Sequence, residues 1–307
     1  MAHDWWGSFA IPMTPYDDKD RIDEEVLSAE IEFIIGCRSR GIVVPVLVSE
    51  FMLLSEDERK QMIRLPVNVS RGRVPIVANC AAVNTPLAVR YAHYAQDSGA
   101  DAVIAMPPYS GNPDFATVFS YFKAINDAVS IPIWIQNAGV AALGTDQVIQ
   151  VCSQLENVRW VKEEVQPSTH AIGRLMGKKS PYIEGVMGGS GGRYMITEWE
   201  RGAVGCVHAC EFSDLIQDIF DLLQSDEDKK ARDLFDQLLP GVTLEGLMGM
   251  AFAKEIMIRR GVFKNNRVRS QAAPLDRDDM REIDAVWERI QPYLTWSKRG
   301  VTTPLGH

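Results

Sequence analysis

The chain has 307 residues, of which 46% are hydrophobic and 24% charged, with a formal net charge of −9. This is the balance of an ordinary globular chain, long enough for one large α/β domain or two smaller ones. The acidic excess argues against nucleic acid or an anionic membrane as the main partner, and no apolar run approaches membrane-spanning length.

The first residues, Met1 to Phe9, lack a basic segment followed by an apolar core, so no signal peptide is expected. Short apolar runs then alternate with amphipathic stretches. Strands are predicted over 8–13, 42–48, 75–80, 102–107, 132–137, 159–162, 182–187 and 204–209, and helices between them over 24–38, 55–69, 85–98 and 114–128. Ser55 to Glu58 reads as a capping box with an acidic first turn, and Gly41 and Gly99 read as helix exits. Alternating strands and helices call for a parallel sheet, and eight such units call for a (β/α)8 TIM barrel spanning residues 1–224. A doubly wound sheet is the runner-up, weakened because no GxGxxG follows the first strand. Beyond it the pattern is helical, over 215–223, 227–239, 244–260 and 278–293, with a polar loop at 264–279. Residues 225–307 are therefore expected to form a C-terminal helical extension packed on the barrel. Cys37, Cys80, Cys152, Cys206 and Cys210 are scattered with no CxxC, as expected of buried thiols in a reducing cytoplasm.

In a barrel, active groups come from the C-terminal ends of the strands. That places Thr14, Ser49, Glu50, Tyr109, Ser110, Gln136, Asn137, Lys162, Glu164, residues 185–192 and His208 near one mouth. Lys162 is the sole lysine among them. It ends the apolar run Val158-Arg159-Trp160-Val161, where an ammonium is costly unless paired or neutral. Burial favours the neutral amine of a lysine, and a neutral amine attacks carbonyls. The plainer alternative is an ion pair with Glu163 or Glu164. Residues 185–192 are glycine-rich but lack a Walker lysine, so no ATP site is read there. His208 and Cys210 have no third ligand nearby, so no metal is expected.

The runs Pro12-Met13-Thr14-Pro15-Tyr16, Leu54-Ser55-Glu56-Asp57-Glu58-Arg59, Gly99-Ala100-Asp101-Ala102 and Pro107-Pro108-Tyr109, with Lys162 beyond them, resemble the class I aldolase superfamily of dihydrodipicolinate synthase and N-acetylneuraminate lyase. The resemblance spans most of the chain and implies that Lys162 forms a Schiff base. It also implies a 2-keto acid substrate, no cofactor, and a homo-oligomer, either a dimer or a tetramer. Three departures bear on the reaction. Leu47 and Val48 replace a paired hydroxyl motif, Gln136 replaces a proton-shuttling tyrosine, and Ser110 replaces a second tyrosine. A carboxamide cannot give or take the proton that a phenol can. Ser49-Glu50, Ile135-Gln136, the Lys162-x-Glu164 spacing and Ile183-Glu184-Gly185 are similar to the subgroup of 2-keto-3-deoxy-L-arabinonate dehydratases, which carry aspartate where this chain has Asn137 and Gly188.

The expected activity is a Schiff-base hydro-lyase on a 2-keto-3-deoxy sugar acid. The expected catalytic residues are Lys162, Glu164 as acid/base, and Gln136 as positioner. Ser49, Glu50, Tyr109, Asn137, Gly185 and His208 are the expected substrate contacts. A pyruvate-dependent aldolase or synthase, and a non-catalytic keto-acid-binding homologue, are the alternatives.

Overall fold

Eight apolar runs become eight parallel strands that close into one barrel in the order β1 to β8. The computed structural model describes residues 3–177, 181–270, 273–297 and 300–301. The strands are β1 (Gly7–Ile11), β2 (Gly41–Val44), β3 (Ile76–Asn79), β4 (Ala102–Ala105), β5 (Ile133–Asn137), β6 (Val158–Glu163), β7 (Gly185–Gly188) and β8 (Gly205–Ala209). Between them run α1 (Glu24–Gly36), α2 (Glu56–Ser70), α3 (Thr85–Asp97), α4 (Phe115–Ala128), α5 (Thr145–Gln154), α6 (Ser168–Gly177) and the short α7 (Met195–Trp199). Then follow α8 (Ser213–Gln224), α9 (Asp228–Met248), α10 (Met250–Arg259) and α11 (Arg277–Ile290). The expected TIM barrel with C-terminal helices is the fold observed. No helix among the described residues is long and apolar enough to cross a membrane.

The strands are buried on both faces, which is why they read as continuous apolar runs. Inward-pointing Phe9, Ile11, Val43, Val77, Ile104, Trp134, Trp160, Met187 and Val207 fill the barrel interior. A β-bulge between β5 and β6 brings Trp134 level with Trp160. Their rings stack at 5.1 Å and 15°, and Trp5 packs against Trp160 at 5.2 Å. Two glycines make room: a Cβ on Gly41 would overlap the Phe9 ring, and one on Gly185 the Trp160 indole.

Several boundaries depart from the expectation. The second strand stops at Val44 rather than residue 48, because Pro45 has no N–H for the ladder and Leu47–Ser49 winds into a 3₁₀ turn. Gly41 opens β2 instead of closing α1, which ends at Gly36. Gly99, at φ +91, does follow its helix. The expected break between residues 239 and 244 is absent. Helix α9 runs straight through Pro240 and ends at Gly249, φ +67. Burial of Leu238 and Val242, with Gly241 pressed on Phe212 and Val286, outweighs the ~3 kcal/mol that an interior proline costs.

The Gly41–Phe9 fit carries a stability prediction. Gly41→Ala must displace a ring locked in the barrel floor, and overpacking of this kind costs ~1–3 kcal/mol. Urea denaturation of the variant should show a lower midpoint with an unchanged slope. An unchanged midpoint would mean the floor is looser than described.

Candidate active site

Side chains alternate along β5 and β6, so one residue decides between the barrel interior and the helical layer. Gln136 pairs in register with Lys162, and both follow the inward indoles by two residues. Lys162 is 3% exposed. Its Nζ lies 3.0 Å from Glu164 Oε2. Gln136 Nε2 donates to that same oxygen at 3.0 Å, and the Ser190 N–H donates to Oε1 at 3.2 Å. Gly189 presses so close that a Cβ there would overlap the Glu164 carboxyl. Burial alone would raise the Glu164 pKa, but the Lys162 charge and the bonds from Gln136, Lys162 and Ser190 hold it below the usual value. Lys162, Glu164 and Gln136 thus form one contiguous group at the upper end of the barrel.

The other expected contacts have surroundings of their own. Ser49 is fully buried; its Oγ donates to the Pro12 carbonyl at 2.7 Å and accepts from the Val46 N–H at 3.3 Å. Thr14 bonds the Ser49 carbonyl at 2.6 Å, so both hydroxyls fasten loops. Glu50 sits at φ +55. It accepts from Lys254 Nζ at 3.2 Å and from the N–H groups of Arg269 and Ser270 at 2.8 and 2.7 Å. That carboxylate ties the β2 loop to the loop after α10. Tyr109 is half-buried, edge-on to Phe51 at 5.9 Å. Asn137 points outward, donating to the Leu143 carbonyl at 3.0 Å and to Glu163 Oε2 at 2.9 Å. Gly185 is level with Trp160 in the floor, one inward layer below Lys162. His208 also faces outward. Its Nδ1 meets the Ala209 carbonyl at 2.7 Å and its Nε2 the Ser8 hydroxyl at 2.7 Å. A carbonyl only accepts, so Nδ1 carries the proton and Nε2 receives one from Ser8.

Several further acids are buried by contacts with distant elements. Glu163 faces outward, away from Lys162, and burial pushes it up to about 7 against the bonds from Asn137 and the Val165 N–H. Glu198 on α7 accepts from Ser168 at 2.6 Å, and burial pushes it to about 7 as well. A Cβ on Gly188 would overlap the Glu198 carboxyl, so that carboxyl fills the space beside Gly188. Glu211, after β8, is fully buried, and Glu245 on α9 reaches the turn after β7. Two-residue alternation in β6 was the available signal for Glu163; nothing local marks the others. Among the described residues, no group of three or more His, Cys, Asp or Glu side chains could hold a metal ion.

The sequence matches the Dihydrodipicolinate synthetase family over residues 4–290. It is 26% identical over 299 residues to L-2-keto-3-deoxyarabonate dehydratase of Azospirillum brasilense, covering 95% of this chain and 96% of that protein. It is 30% identical over 240 residues to 4-hydroxy-tetrahydrodipicolinate synthase of Bartonella bacilliformis, covering 76% and 80%. Among solved structures, dihydrodipicolinate synthase from Rhodopseudomonas palustris superposes with a TM-score of 0.86 at 23% identity, covering 93% and 97% of the two chains. A prophage protein of the dihydrodipicolinic acid synthase family from E. coli K12, in complex with pyruvate, superposes at 0.87 with 18% identity, covering 94% and 99%. These structural likenesses concern the fold.

Burial lowers the His208 pKa from 6.5 to about 4. Between those values the unfolded chain binds a proton that the folded chain refuses, so acid favours unfolding there. The His208 contribution to stability should fall as pH drops through this window and level off below it, whereas Glu163 and Glu198, raised from 4.5 to about 7, contribute in the opposite sense over most of it. The stability difference between wild type and His208→Gln should therefore change with pH across this window and be flat below it, because the acids contribute equally to both proteins. Urea denaturation at a series of pH values from about 7 to about 4 measures both slopes.

Proposed function

The chain belongs to the dihydrodipicolinate synthetase family, and on that premise we propose that it is a lysine-imine hydro-lyase acting on a 2-keto-3-deoxy sugar acid such as 2-keto-3-deoxy-L-arabinonate. The observation that carries this reading is the inward group of Lys162, Glu164 and Gln136 with a carboxamide at the β5 position. The identity to the Azospirillum dehydratase along nearly the full chain supports it.

The geometry supports this chemistry. The Lys162 amine attacks the C2 ketone, and loss of water gives a protonated imine that serves as an electron sink. Glu164, 3.0 Å from that nitrogen and short of protons, takes a proton from C3. The resulting enamine expels the C4 hydroxyl and leaves a C3–C4 double bond. C5 then loses a proton and C3 gains one, the C4–C5 enol so formed tautomerises to the aldehyde, and hydrolysis of the imine releases the product and restores Lys162. This route needs an acid for the departing hydroxyl. Retro-aldol cleavage instead needs a base on that hydroxyl, which the Gln136 amide cannot be.

A second reading, a pyruvate-dependent aldolase or synthase, draws on the identity to the Bartonella synthase. It shares the imine and differs in the bond broken. The homo-oligomer belongs to the same proposal. Leu47, Met52, Leu53 and Val83, on the loops after β2 and β3, are 37–47% exposed and suit a second copy of the chain.

Borohydride reduction in the presence of a 2-keto-3-deoxypentonate should leave an adduct on Lys162, read by mass spectrometry, and Lys162→Ala should abolish it. Without reductant, the semialdehyde product should accumulate, and Glu164→Gln should slow it by about 10²-fold or more. Pyruvate appearing from the same substrate would favour the second reading. No adduct with any keto acid would leave keto-acid binding without catalysis.

A further inference from the structure

The hydro-lyase reading leaves the departing hydroxyl without a dedicated proton donor, because Glu164 is poised to accept one. The turn after β7 has a second carboxyl against it. Glu164 lies on one side of this turn, against Gly189 and the Ser190 N–H. Glu245 of α9 lies on the other side. Gly191 has φ +67, and a Cβ on it would stand 2.5 Å from Glu245 Oε2 and 3.1 Å from Val242 Cγ1. Arg193 clamps the helix in place, donating from Nη2 to the Val242 carbonyl at 2.9 Å. Glu164 and Glu245 therefore flank one glycine-rich turn, and the charge of Lys162 bears on both.

We propose that Glu245 is the acid that protonates the departing C4 hydroxyl, so that helix α9 completes the catalytic group begun inside the barrel. The proposal rests on the hydro-lyase reading. In the step it describes, Glu164 holds the proton taken from C3, and the enamine electrons form the C3–C4 double bond. The C4–O bond breaks, the oxygen takes the Glu245 proton, and water leaves. Glu245 is left ionised and regains a proton from solvent. No oxidant or reductant is required.

The two carboxyls are suited to opposite roles. Glu164 is held below the ordinary range, whereas burial pushes Glu245 up to about 7 against the charges of Arg193 and Lys162. Glu211, after β8, is a further acid whose negative charge would oppose that of Glu245. It is fully buried and neither of its oxygens has a hydrogen-bond partner, so it strongly favours its neutral form. Pairs of acids whose surroundings separate their proton affinities are what acid/base catalysis requires.

The test compares wild type with Glu245→Gln on a 2-keto-3-deoxypentonate in deuterated water. Three quantities are read: the borohydride adduct on Lys162, deuterium entering C3 of unreacted substrate, and the rate of water loss. The adduct and the exchange should persist while kcat for water loss falls by about 10²-fold or more. Unchanged water loss would overturn the proposal. So would a parallel fall in exchange and water loss, which is what a merely structural role produces. If Glu245→Gln does not fold, Glu245→Asp takes its place: slowed water loss with intact exchange supports the role, and an unchanged rate rejects it. Failure of the wild type to form any adduct would instead remove the hydro-lyase reading, and this inference with it.

Discussion

Two stacked indoles set the depth of everything above them. Trp134 and Trp160 lie nearly parallel across the barrel interior, with Phe9 and Trp5 packed against them. Large rings can occupy one layer only because Gly41 and Gly185 surrender their side chains to them. The floor is thereby sealed with apolar surface. The next inward positions on β5 and β6 are Gln136 and Lys162, so polar side chains begin one layer higher.

Above that floor, acids outnumber bases and are sorted by their partners. Glu164 keeps its charge because Lys162, Gln136 and a backbone N–H all address it. Glu163 and Glu198, one layer outward, are raised to about 7 by burial with fewer donors. The same residue type therefore spans several proton affinities within a few neighbouring positions, and the strand alternation does much of the sorting. A shift of one residue in β6 would exchange the inward and outward acids and separate Lys162 from Glu164 and Gln136.

The barrel and the burial of Lys162 at a strand end were legible in the sequence because both are written locally. Strand runs, capping residues and a lysine at the end of an apolar strand need no distant information. Gln136 and Glu164 follow from the same alternation. Asn137, Gly185 and His208 show where such reading runs out. Each lies at or near a strand end, and whether it faces the interior turns on one residue of register or on depth along the strand. Ser49 and Glu50 sit in a mouth loop, yet their polar atoms are consumed by Pro12, Val46, Lys254 and the backbone of Arg269 and Ser270. The continuity of α9 through Pro240 was hidden for a related reason: a local helix breaker was overruled by packing on Phe212 and Val286.

The Glu50 clasp also bears on how the protein is made. Glu50 and its buried partner Lys254 are 204 residues apart, and the N–H groups of Arg269 and Ser270 follow later still. As the chain emerges from the ribosome, the first loops of the barrel leave long before the residues that neutralise this carboxylate. A buried acid without its cation is strongly unfavourable, so the nascent barrel must hold that corner open to water. The mouth of the barrel is thus closed by the last quarter of the chain, and a truncated product would carry all eight strands with an unfinished entrance.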